Sequence, residues 1–121
     1  MKLPLGVLYH LKEPFTALER MAAVTEKLLI VETAVDLLNV ERPAMAFYPM
    51  AELNGDPTNW WAPNLACLTQ MLRACGFREV RRVYRHSLAK RVAFAALQQA
   101  KGKAGFLTTL RQGRATLHAV R

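Results

Sequence analysis

The sequence predicts an α/β fold on a mainly parallel sheet, and two observations carry that expectation. First, two apolar runs, Leu5-Gly6-Val7-Leu8-Tyr9-His10 and Leu28-Leu29-Ile30-Val31-Glu32-Thr33, bracket a stretch with helical period. Neither run alternates apolar with polar, which is the pattern of strands covered on both faces. A strand–helix–strand of this length implies a right-handed parallel crossover. Second, helical and strand-like stretches keep alternating after residue 64.

Each element follows from local chemistry. The first strand spans 4–10, bounded by Pro4 and the charged pair Lys12-Glu13. Pro14 suits the first turn of a helix, where its missing N–H costs nothing. Leu18, Met21, Ala22 and Val24 then form an apolar stripe, which places that helix over about 14–25. Lys27 to Val35 is β-branched and apolar on both faces, a second buried strand. Residues 38–62 show no period and carry Pro43, Pro49, Asn54-Gly55 and Asp56-Pro57 among Phe47, Tyr48, Trp60 and Trp61. A loop this long is usually functional. It leaves the carboxyl end of a strand, where open α/β sheets bind ligands. Asn64 is a candidate N-cap for a helix with Leu65, Leu68, Met71, Leu72 and Cys75 on one face, stopped by Gly76. Phe77 to Tyr84 reads as a strand, Ser87 or Leu88 to about Ala100 as a helix ended by Gly102 and Gly105, and Ala115 to Val120 as a last, alternating strand.

Composition sets the bounds. The 121 residues make one domain, 52% apolar and 21% charged, which is ordinary for a globular protein. No apolar run nears the ~20 residues that span a bilayer, and Met1-Lys2-Leu3-Pro4 does not open a secretory signal. No membrane contact and a cytoplasmic location are expected. Cys67 and Cys75, on one helix, would lie ~12 Å apart, too far for a disulfide. His10, His86 and His118 are scattered, so no metal site is expected. Charge is uneven: the net charge is +8, and residues 81–121 hold ten Lys and Arg and no acid. Such a carboxyl third is either a nucleic-acid or acidic-partner surface or a solvated basic face.

In this layout, Leu5-Gly6-Val7-Leu8-Tyr9-His10 with Pro14, then Leu29-Ile30-Val31-Glu32-Thr33, resemble the fourth and fifth strands of a class I S-adenosylmethionine (SAM) methyltransferase. Within that superfamily they look like the wobble-uridine tRNA carboxymethyltransferase group and its plain-SAM relatives, as does Pro63 through Gly76-Phe77. The match covers roughly residues 5–84. The resemblance implies the carboxyl half of a Rossmann-like class I sheet, with an antiparallel last strand inserted between the two before it. Leu5 and Tyr9 are then the cofactor-binding positions, and the donor is SAM or its carboxylated form. A tyrosine ring beside a sulfonium is a cation–π contact; the same ring can equally cap the core. The glycines at 6, 55, 76, 102, 105 and 113 never form the G-x-G turn that cradles a cofactor. The chain therefore reads as a partial methyltransferase domain, 1–121, inactive alone.

Acceptor-site candidates come from the aromatic loop. Tyr48, Trp60 and Trp61 can wall a pocket or stack on a flipped base, and Asn59 can hydrogen-bond what lies there. The alternative is that a tryptophan closes the core and the Asn-Gly and Asp-Pro pairs only turn the chain. Glu32 is placed to orient the loop or a substrate. His10 is either a general base or a residue that fixes the loop. The expected activity is methyl transfer to a small molecule or RNA; the alternative is a non-enzymatic basic module binding nucleic acid or an acidic partner through 81–121. A bare edge along 4–10 would favour self-association.

Overall fold

The computed structural model describes residues 8–53, 55–85, 88–102, 105, 107 and 110–121. A 3-10 turn over Leu8–His10 leads into helix α1, Pro14–Ala23. Strand β1 is Leu28–Val35. Two short strands follow, β2 (Met45–Phe47) and β3 (Trp61–Pro63), then helix α2 (Leu65–Ala74), strand β4 (Glu79–Arg85), helix α3 (Leu88–Ala100) and strand β5 (Gly113–Val120).

The main sheet has the order β1-β5-β4, and β5 runs antiparallel to both neighbours. The last strand thus sits between the two before it, as expected. The mainly parallel sheet is corrected: every pairing among the described residues is antiparallel. The cause is the insertion of β5. Strands β1 and β4 run parallel to each other but never touch. The parallel partner expected along 4–10 falls at 4–7 outside the described residues, and at 8–10 on the 3-10 turn. The same holds for the bare edge expected there.

Period-two burial organises the sheet. Leu29, Val31, Val35, Ala115, Leu117 and Ala119 point to one face, and Leu18 of α1 and Leu65, Leu68 and Leu72 of α2 pack on it. Helix α2 follows its sequence signals closely. Asn64 caps it, accepting from the Cys67 N–H at 2.8 Å, and Gly76 ends it at φ 100°, a conformation glycine adopts without a Cβ penalty. Arg121 closes the far side of α1: its guanidinium donates to the carbonyls of Ala22 and Thr25 and lies 4.9 Å from the Phe77 ring centre. The opposite face of the sheet carries Ile30, Glu32, Arg114, Thr116 and His118, all half-buried.

Within the long aromatic segment the structure adds what periodicity misses, a two-stranded ribbon pairing Met45 with Pro63, Ala46 with Ala62 and Phe47 with Trp61. Three-residue strands are too short to show a period.

Candidate functional site

The site forms where the chain leaves β1. Asp36, buried directly after the strand, is its hub. Its N–H donates to the Pro63 carbonyl at 3.2 Å, tying β1 to β3. Its Oδ1 accepts from the Leu37 N–H at 2.6 Å, and its Oδ2 accepts from the Tyr48 hydroxyl and from Gln112 Nε2 at 3.3 Å. Three segments distant in sequence are thereby fixed on one carboxylate. Leu37 is held at φ 53°, a left-handed conformation that a bulky side chain rarely adopts. The Asp36 bond and the Leu38 N–H to Arg111 carbonyl bond, 3.0 Å, flank it. Burial, then the Asp36 carboxylate, push the Tyr48 phenol far above its ordinary pKa.

The aromatic loop is sewn onto residues 9–12. Trp60 donates its backbone N–H to the Tyr9 carbonyl at 2.8 Å, and Trp61 Nε1 donates to the Lys12 carbonyl at 3.1 Å. Lys12 Nζ stands 5.1 Å from the Trp60 ring centre, and the Phe47 and Trp61 rings are 4.6 Å apart. Asn59 is buried. Its Nδ2 donates to the Leu53 carbonyl at 2.8 Å, while its Oδ1 has no partner.

His10 is exposed, with Nδ1 3.1 Å from both the carbonyl and the Oγ1 of Thr58. A carbonyl only accepts, so the network assigns the hydrogen to Nδ1. Thr58 in turn donates through Oγ1 to Asp56 Oδ1 at 2.6 Å. That bond, with one from the Thr58 N–H, holds the Asp56 carboxyl below its ordinary range. Through these bonds His10 ties the turn 8–10 to the loop at Thr58.

Beside this cluster lies a cavity of about 460 Å³ between α3 and the ends of β1 and β5. Ala34, Leu53, Phe94 and Leu97 give it an apolar lining, and Gln112 and Arg114 give it polar groups. The Arg114 guanidinium stands 5.8 Å from the Tyr9 ring centre, so cavity and turn are neighbours. A site of this kind binds and orients a small molecule. Among the described residues no group of three or more His, Cys, Asp or Glu is gathered to hold a metal ion, and no helix is long and apolar enough to cross a membrane.

Of the residues singled out in the sequence, Tyr9, His10, Tyr48, Asn59, Trp60 and Trp61 converge on the turn and its loop. Glu32 is half-buried on β1 opposite Thr116, on the sheet face that carries Arg114. Leu5 lies outside the described residues. Sequence reasoning missed Asp36, Gln112 and Arg114. An acid directly after an apolar strand was a usable signal for Asp36; Gln112 and Arg114 carried none beyond their place next to the last strand.

No protein-family model matches the chain, and no curated protein sequence matches it. Solved structures do match in fold. The N-terminal domain of EvdMO1 with S-adenosylhomocysteine (SAH) bound superposes with a TM-score of 0.57 at 16% identity, covering 96% of this chain and 43% of that one. The same domain in the presence of SAH and D-fucose gives 0.55 at 14% identity, with 96% and 44% covered. The chain thus shares the fold of this domain and spans less than half the length of those chains.

Proposed function

We propose that the chain is the acceptor-side portion of a SAM-dependent methyltransferase domain. The observation that carries this reading is the insertion of β5 between β1 and β4, in a chain 96% of which superposes on a domain with SAH bound. SAM, when bound, supplies an electrophilic methyl group; methyl transfer asks little of the protein beyond alignment of acceptor and donor. In this reading Tyr9 and the turn 8–12 border the donor, and the aromatic loop and cavity hold the acceptor. The Asp36–Tyr48–Gln112 cluster is a positioning device that keeps loop, β1 and β5 in register. The 121 residues contain no G-x-G turn, and this reading assigns no cofactor cradle to them.

A small-molecule acceptor fits better than RNA. The cavity has the size and apolar lining of small-ligand sites. Two carboxyl-third cations are engaged within the fold, Arg91 with the Leu110 carbonyl and Arg121 with the end of α1, while Arg81 pairs with Glu79 at the surface. The test is ultraviolet crosslinking with methyl-labelled SAM at about 1 mM, a concentration suited to weak binding. Label is expected in the peptide holding Tyr9 to Lys12. No label, or label confined to residues 81–121, would overturn the reading.

A further inference from the structure

We infer that the cavity between α3 and the β1 and β5 ends binds a compact organic anion with an aromatic or aliphatic body, its charge held by Arg114. As a statement about the methyl acceptor this rests on the function proposed above; as a statement about binding it needs no cofactor. At about 460 Å³ the space is of small-molecule size. Its walls are Ala34 and Leu53 on one side and Phe94 and Leu97 on the other. Phe94 and Leu97 are 53% and 48% exposed, so they present large apolar surface at this space.

The charged groups are all of one sign. Among the described residues no acid lines the cavity, and Lys90 and Arg91 of α3 share its rim with Arg114. Arg114 is half-buried on β5 directly opposite Ala34, beside the Tyr9 ring. A planar guanidinium in such a place offers a carboxylate two parallel hydrogen bonds. Apolar walls weaken solvent screening of that pair. Gln112 is held by Asp36, so the floor is fixed before a ligand arrives. An apolar body with one acidic group is the chemistry that satisfies both halves of the lining.

The test compares naphthalene-1-acetate with its neutral analogue 2-(1-naphthyl)ethanol by 1H–15N NMR titration of the chain. The anion is expected to shift amides at 34, 53, 93–97 and 112–114, and to bind at least about fivefold tighter than the alcohol. Arg114→Gln should bring the anion down to the affinity of the alcohol and leave the alcohol unchanged. Arg114→Lys, which keeps the charge, should retain part of the preference and guards against a folding defect. Equal affinities for the two probes would overturn the inference, as would an Arg114→Gln variant that still prefers the anion. So would α3 shifts that track protein concentration and ignore the probe, the mark of a second copy on this face. Loss of SAM labelling with anion binding intact would sink the methyl-transfer reading alone.

Discussion

Helices α2 and α3 are written in the same amphipathic pattern and end in different surroundings. Helix α2 buries Leu65, Leu68, Met71 and Leu72 against the sheet and is locked at its start by Asn64. Helix α3 buries only Ala95 among its described side chains and leaves Leu88, Val92, Phe94 and Leu97 at the surface. A hydrophobic stripe states what a helix needs to cover. It does not say what covers it. For α2 the partner is the sheet; for α3, Phe94 and Leu97 border the cavity.

The largest contrast should come from truncation. Leu72→Ala is expected to cost about 2–5 kcal/mol through the lost methylenes and the cavity left behind, whereas Phe94→Ala should cost about 0.5 kcal/mol or less. Urea unfolding of both variants measures this. Comparable losses would mean that α3 is packed as firmly as α2.

Asn64→Ala should follow closely, at about 2–4 kcal/mol. Its Oδ1 serves both Cys67 and Ala44, and its Nδ2 serves the carbonyls of Val40 and Arg42, so one side chain caps α2 and pins the segment before β2. A loss below about 1 kcal/mol would reduce it to an ordinary cap.

Tyr48→Phe is expected to cost about 1.5–3 kcal/mol, because it removes a bond to a buried carboxylate. The wild type should also weaken in alkali. Its folded phenol keeps its proton while the unfolded one loses it near pH 10. Stability from this group is full below about pH 10 and falls above it by up to ~1.4 kcal/mol per pH unit. Thermal melts between about pH 9 and 11 should therefore slope less steeply for Tyr48→Phe. Parallel slopes would remove Tyr48 as the cause.

The smallest effect concerns the thiols of Cys67 and Cys75, both raised by burial. Alkylation by iodoacetamide at about pH 8 should be slower than for free cysteine. Free-cysteine rates at both positions would show that α2 opens readily.

Much of this was legible because local chemistry decided it. Pro14, Asn64 and Gly76 marked helix ends that the structure reproduces, and the alternation of 115–120 set the buried face of β5. Less visible were features that exist only in three dimensions. The antiparallel pairing on both sides of β5 depends on where a strand inserts, which no window of sequence records. Residues 8–10 carry strand-like side chains but turn, because the Leu8 carbonyl accepts from the Leu11 N–H at 3.2 Å. Asp36 and Gln112 meet across 76 positions, and nothing near either announces the other.

The most direct test of the central claim is a 1H–15N NMR titration of the chain with SAH. The account expects weak binding, with a dissociation constant above about 100 µM, and shifts centred on Tyr9 to Lys12 and on Thr58 to Trp61. Shifts confined to the basic residues after 81, or none up to several mM (about −3 to −4 kcal/mol of binding), would contradict it.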